Sequence, residues 1–166
     1  WHSPTPAAVR GIYLWGGVGR GKTFLMDLFR AHLAVPSRRD HFHRFMKDVH
    51  GRLRQLREVE NPLEQVAAEI GRDVRVLCLD ELFVGDIADA MLLSGLFAGL
   101  VESGVTLVFT SNAPPSDLYR GGLQRSRFLP AIALIERCTE TVNVYAGLDY
   151  RLRQLEKAPL YLDAAD

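Results

Sequence analysis

The chain has 166 residues, 48% of them hydrophobic, and its 20 basic side chains balance 20 acidic ones to a formal net charge of zero. That length and apolar content suit one domain with its own core. Zero net charge excludes a protein that coats nucleic acid by bulk electrostatics, leaving only local basic patches open to that role.

Gly11–Trp15 is a short β-branched and aromatic run and reads as the first strand. Gly16-Gly17-Val18-Gly19-Arg20-Gly21-Lys22-Thr23 follows, and a helix follows that, with Leu25, Leu28, Phe29 and His32 on one side. Strand, G-x-x-x-x-G-K-[ST] and helix together make the phosphate-binding P-loop in its required context. Its glycines let successive backbone N–H groups approach phosphate oxygens with no Cβ in the way, and the helix that starts near Gly21 aims its positive end at them. Lys22 is expected to bring a point charge to the β- and γ-phosphates of ATP, and the Thr23 hydroxyl to ligate Mg2+.

The first helix is expected to run to about Leu33, with Pro36 and Ser37-Arg38-Arg39-Asp40 as a polar, turn-like break. His41 to Phe45 alternates polar and aromatic residues and reads as a second strand. A long helix with the stripe Phe45, Met46, Val49, Leu53 and Leu56 comes next, and its other faces carry Arg52, Arg54 and Arg57. Pro62 suits the first turn of a shorter helix, Leu63 to Ile70, which Gly71 is expected to close. Val74 to Leu79 is nearly continuous apolar sequence, as expected of a parallel strand covered on both faces. Asp86 caps a helix from Ile87 to Glu102 whose inward face is expected to be Ile87, Ala90, Met91, Ser94, Phe97 and Val101, with Gly104 at its end. Val105 to Thr110 is a fourth strand, and Ser111 to Pro115 breaks it. An Arg-rich loop, a helix around Ala131 to Glu136 and a fifth strand, Thr141 to Tyr145, complete the pattern. Strands alternating with helices imply an α/β fold: a five-stranded parallel sheet with helices on both faces.

An apolar strand ending in Asp80-Glu81 has the Walker B form. Asp80 holds the magnesium, directly or through water, and Glu81 orients or deprotonates the water that attacks the γ-phosphate. One further strand is predicted between this one and the P-loop strand. The two are therefore not expected to be sheet neighbours, the arrangement of P-loop proteins with a catalytic glutamate. Asn112, just past a buried strand, faces the same crevice and can hydrogen-bond the γ-phosphate or the water; as a turn residue before Pro114 it is also ordinary. Arg120, Arg125 and Arg127 lie where ring-forming ATPases carry the arginine that reaches into a neighbour's site. A guanidinium there stabilises charge spreading over the γ-phosphoryl, although most surface arginines are only solvated.

The segments GGVGRGKT, HFHRFM, CLDELFVGDIADAML, TSNAPPSDLY, GLQRSRFLPAI and LDYRLR resemble the ZapE cell-division ATPase family of Gram-negative bacteria and its mitochondrial relatives. The similarity runs from about Gly11 to Leu162, and Trp15, Gly17 and Arg20 resemble the bacterial branch more. It implies an AAA+ type ATPase using ATP and Mg2+, with Arg125, matching GLQR, as the better candidate for the trans-acting arginine over Arg127. In bacteria it implies action on the tubulin-like protein FtsZ by a cytoplasmic protein recruited to the division site. In mitochondria it implies chaperone-like handling of inner-membrane proteins. Family members are longer at both ends, so residues 1–166 are expected to be one AAA+ core, a fragment lacking flanking parts. Adenine contacts and a C-terminal lid arginine belong largely to those parts. A nucleotide-dependent homo-oligomer is expected of the full-length protein.

Cys78 and Cys138 lack framework spacing, which points to reduced thiols and an intracellular protein. No apolar run reaches transmembrane length, so any membrane association is expected to be peripheral, as at a septum. His41 and His43 on one strand face, with His50 nearby, invite a metal-site reading, but no cysteine or carboxylate at ligand spacing supports it. Phe45-Met46 and Phe83-Val84-Gly85 follow strands two and three, where AAA+ proteins place pore-lining loops; core packing is the plainer reading. A helicase-loader-like ATPase acting on nucleic acid is the first rival function, with only Arg52, Arg54 and Arg57 in its favour; no nucleic acid is expected as partner. A non-hydrolysing scaffold is argued against by Glu81, and a GTPase by the lack of an Asn-Lys-x-Asp motif.

Overall fold

A computed structural model describes residues 4, 6–19 and 21–144. Arg20, Tyr145 and the segment LDYRLR lie outside the described residues. The elements in chain order are β1 (Gly11–Trp15), α1 (Lys22–Ala31), β2 (Ser37–His41), α2 (Phe42–Gln55), α3 (Pro62–Asp73), β3 (Val76–Asp80), α4 (Ile87–Glu102), β4 (Thr106–Ser111), a short 3-10 turn (Pro115–Asp117), α5 (Arg125–Cys138) and β5 (Thr139–Asn143). All pairings are parallel, and the strand order is β2-β3-β4-β1-β5. The P-loop strand and the strand ending in Asp80 are therefore not sheet neighbours, as expected, and the strand that separates them is β4. The carboxyl ends of β1, β3 and β4 converge on one crevice.

The two faces of the sheet are covered unequally. Tyr13, Leu77, Leu79, Leu107 and Phe109 point into the larger core, which α2, α3, α4 and α5 close with residues such as Phe45, Phe97 and Phe128. The alternate residues Val76, Cys78 and Val108 face α1, which covers them with Met26. The predicted inward face of α1 is therefore rotated. Met26 is fully buried and Phe29 and Leu33 pack beside it, whereas Leu25 and Leu28 stay 39% and 47% exposed. No other element among the described residues covers that flank. In α4 the buried set is Ala90, Leu93, Leu96, Phe97 and Leu100, with Ile87 exposed. The helix is apolar nearly all round because α3 and α5 pack on its two sides, so periodicity alone does not select a face.

Several boundaries differ from expectation, among them β5, which runs Thr139–Asn143 rather than from Thr141. Ser37–His41, read as a turn, is strand β2, and His41 to Phe45, read as a strand, mostly opens α2. β2 is an edge strand whose charges are taken up by ion pairs: Arg38 with Asp40 at 2.6 Å, and Arg39 with Asp27 at 2.8 Å and Asp80 at 3.0 Å. Charged edges of this kind resist pairing with other chains, and they erase the apolar signature of a strand. His41 then caps α2, its ring accepting from the His43 backbone N–H, so His41 and His43 share no strand face. Gly71 does not end α3 but lies buried within it; a Cβ there would sit 2.6 Å from Ser103 Cβ, so the glycine serves the close approach of the α4 end. Finally, α5 starts six residues before the predicted Ala131 and includes Pro130.

Candidate active site

The P-loop leaves β1 at Gly16, whose N–H donates to the Ser111 carbonyl at the end of β4. Gly19 and Gly21 both have φ of 76°, a left-handed conformation that favours glycine, and open space surrounds the position a Cβ would take. Gly21 is the N-cap of α1 and makes no side-chain cap, so the positive end of the helix is presented to the glycine loop, as anion binding requires. Val18 is 85% exposed at the loop tip. Lys22 is buried at the first helical position, and its Nζ donates to the carbonyls of Gly16 and Gly17, each at 2.9 Å.

One residue on, the Thr23 hydroxyl donates to both carboxylate oxygens of Asp80 at 3.1 Å. Asp80 is only 5% exposed, and Thr110 Oγ1 also donates to it at 2.5 Å. Arg39 Nη2 completes its partners at 3.0 Å. Burial of a carboxylate requires such neutralisation and hydrogen bonding. Thr23, Asp80 and Thr110 together form a cluster of hard oxygen donors with one carboxylate. Mg2+ takes such a set when phosphates and water complete its octahedron, so the residues fit the ion; the glycine cradle and Lys22 fit the phosphates. Among the described residues no group of three or more His, Cys, Asp and Glu side chains is placed to hold a metal by itself.

Glu81 is held in an unusual backbone state, φ of 55°, while its N–H donates to Thr110 Oγ1 at 2.8 Å. A non-glycine residue there costs on the order of 1–3 kcal/mol and persists because the surroundings enforce it. Its carboxylate is exposed and meets His41 Nε2 at 2.7 Å. The pairing follows from register, since His41 lies directly opposite Asp80 in the β2–β3 ladder. Glu81 and His41 line a crevice of about 800 Å³ together with Asn112 and Arg120. Ser111 links its walls: its hydroxyl donates to the Leu82 carbonyl at 2.8 Å.

The structure thus gathers Lys22, Thr23, Asp80, Glu81 and Asn112 at the carboxyl edge of the sheet. Arg125 is placed differently. Its guanidinium donates to the carbonyls of Ser116 at 2.7 Å and Leu118 at 3.2 Å, bracing the loop that lines the crevice. Arg120 is 80% exposed, and the Arg127 side chain donates, among the described residues, to Gln124 at 3.0 Å. Sequence reasoning missed Thr110, Arg39 and the role of His41. Thr110 carried a signal, as a hydroxyl at the end of an otherwise apolar strand; Arg39 carried none, because its strand read as a turn. Of the two aromatic segments, Phe45 and Met46 are core, whereas Phe83 is 77% exposed. Cys78 is a core thiol, and burial pushes its pKa up to about 11, which leaves it protonated and inert near neutrality.

Solved structures with this fold include DnaI (TM-score 0.59, 18% identity, 86% of this chain and 73% of that one). Another is the replication initiator DnaA bound to AMPPCP and single-stranded DNA (TM-score 0.59, 15% identity, 94% of this chain and 48% of that one). Cell division protein ZapE of Escherichia coli K12 is 54% identical over 164 residues, 97% of this chain and 42% of that protein. Lactation elevated protein 1 homolog B of Danio rerio is 40% identical over 168 residues, 94% of this chain and 33% of that protein. The chain therefore spans less than half the length of these relatives. A family model described as AFG1-like ATPase matches residues 2–166, nearly end to end, and this chain belongs to that family.

Proposed function

We propose that this chain is the ATP-hydrolysing core of a larger protein that remodels a protein partner. The observation that carries the reading is the Thr23–Asp80–Thr110 oxygen cluster beside Lys22, with Glu81 facing the adjoining crevice. Lys22 exchanges its loop carbonyls for phosphate oxygens, and the N–H groups of the loop and of α1 take the remaining charge. Thr23 and Asp80 would hold Mg2+, which would supply charge neutralisation on the phosphates when bound. Glu81 orients a water and accepts its proton once its carboxylate leaves His41, and Asn112 offers an amide to the same water. A trans-acting arginine adds charge stabilisation from a neighbouring subunit in a nucleotide-dependent homo-oligomer. Arg125 takes that role if assembly frees it from the Ser116 and Leu118 carbonyls, and exposed Arg127 and Arg120 are next in line.

The likeness to a protein named for cell division supports a bacterial division role, with FtsZ as the partner and the septum as the place of action of a cytoplasmic protein. The higher identity to the bacterial relative than to the fish one favours this over a mitochondrial role. No helix among the described residues is long and apolar enough to cross a membrane, so contact with the septal membrane is peripheral in this reading. The likeness to DnaA and DnaI concerns the fold alone, and steeply salt-dependent DNA affinity would be needed to revive the helicase-loader reading.

The test separates binding from chemistry in the full-length protein. Lys22→Ala abolishes nucleotide binding, whereas Glu81→Gln keeps ATP bound and stops hydrolysis. Hydrolysis by Glu81→Gln at the wild-type rate would show that another group activates the water.

A further inference from the structure

α2 carries His43, Lys47, His50 and Arg54 at i, i+4, i+7 and i+11, a spacing that aligns them along one face. That face forms one wall of an open groove of about 570 Å³, and the segment from Phe83 to the start of α4 forms the other. The acidic groups of the second wall are already engaged. Asp86 accepts from the N–H groups of Ala88 and Asp89, and Asp89 accepts from His50 Nε2 at 2.6 Å. Lys47 and Arg54 have no ion-pair partner among the described residues. Phe83 stands 77% exposed at the groove's end, its ring lying so close over Gly85 that a Cβ there would meet it at 2.8 Å. An exposed phenylalanine forgoes the gain of burying its ring. Fixed against a glycine backbone, its ring is also pre-ordered for an occupant.

We propose that this groove docks an extended acidic segment of a partner protein, with carboxylates toward Lys47 and Arg54 and an apolar side chain against Phe83. The charge pattern selects a peptide over a nucleic acid. Uncompensated positive charge lines one wall only, and a continuous phosphate chain would run beside Asp86 and Asp89, whereas a peptide alternates its charges with apolar residues. The site deepens the ATPase reading and rests on its protein partner. His43, Phe83 and Gly85 also line the crevice that holds Glu81, and a single residue, Leu82, separates Phe83 from Glu81. An occupant that shifts Phe83 therefore pulls on the catalytic segment.

The test uses the full-length protein and two fluorescein-labelled nine-residue peptides. One alternates glutamate with leucine around a central phenylalanine; the other has lysine in place of every glutamate. Fluorescence anisotropy is expected to show the acidic peptide bound at least about tenfold more tightly, the ratio that one well-placed hot spot supplies. Phe83→Ala and Lys47→Glu each remove that advantage, and Lys47→Glu leaves the affinity for a fluorescent ATP analogue unchanged. Equal binding of the two peptides, or binding that both variants keep, overturns the proposal. So does an oligothymidylate that competes and depends on Lys47, since it would make the groove a nucleic-acid site. Peptide discrimination in a protein that hydrolyses no ATP would leave the groove standing and sink the ATPase reading instead.

Discussion

Replacing Thr110 by valine removes one hydroxyl from the point where three parts of the site meet, while keeping the side chain's shape. That hydroxyl donates to Asp80 at 2.5 Å and accepts from the Glu81 N–H at 2.8 Å, and Thr110 is 1% exposed. A hydrogen bond to a charged group contributes about 1.5–3 kcal/mol, and a buried donor left unsatisfied costs about 1–3 kcal/mol. Asp80 retains Thr23 and Arg39, and Glu81 is exposed enough for water to reach its amide, so the sum falls near the lower end, about 2 kcal/mol. For a chain of this length that lowers the thermal midpoint by roughly 4–8 °C. Turnover falls further, on the order of 10–100-fold, because Glu81 loses the anchor that holds it at positive φ and a small misplacement of a catalytic group is costly. Differential scanning fluorimetry and a coupled ATPase assay on Thr110→Val and Thr110→Ser make the comparison, with serine expected to recover most of both. If valine shifts neither midpoint nor turnover, Thr110 does not organise the site.

Three other outcomes are expected. His41→Ala releases the Glu81 carboxylate; the pair is exposed, so stability barely changes, while basal turnover rises by up to about fivefold, the ceiling for an exposed pair. Lower turnover would mean that His41 orients Glu81 rather than restrains it. Arg125→Ala leaves ATP affinity nearly unchanged and loosens the loop ending at Leu118, lowering the thermal midpoint of the isolated subunit. If Arg125 also acts in trans, turnover falls on the order of 10³-fold and mixing with Lys22→Ala subunits restores part of it; no recovery despite co-assembly limits Arg125 to bracing. Above neutral pH, the buried Cys78 thiol has its pKa raised from 9.0 to about 11, so its neutral form favours the folded state fully below pH 9 and that contribution is lost as pH rises toward 11. Denaturant midpoints should fall across that interval, and less steeply in Cys78→Ala; identical slopes would remove the thiol from the account.

What the sequence determined on its own is what short-range chemistry dictates. The P-loop is legible because left-handed glycines, a lysine and a threonine at fixed offsets answer to one phosphate geometry, and β3 because a strand buried on both faces is nearly all apolar. The Asp86 cap and α4 are legible because a side-chain acceptor before a run of helix formers acts within one turn. That the P-loop strand and the strand ending in Asp80 are not sheet neighbours followed from the extra strand between the two motifs; the full order β2-β3-β4-β1-β5 did not. What only the tertiary structure decided involves partners distant in sequence. β2 is a strand because β3 offers it a ladder and Asp27 and Asp80 neutralise its arginines, and no local signal encodes those partners. The inward faces of α1 and α4 depend on which neighbours cover them, and Gly71 is needed because Ser103 approaches from another helix. In the site, Asp80 and Glu81 were readable from their strand. Their environment is not local: the hydroxyl of Thr110 comes from 30 residues away, His41 from the neighbouring strand, and Arg125 spends its guanidinium on carbonyls seven and nine residues back. Motifs name the candidate phosphate-binding atoms; the packing of the sheet decides what holds them in place.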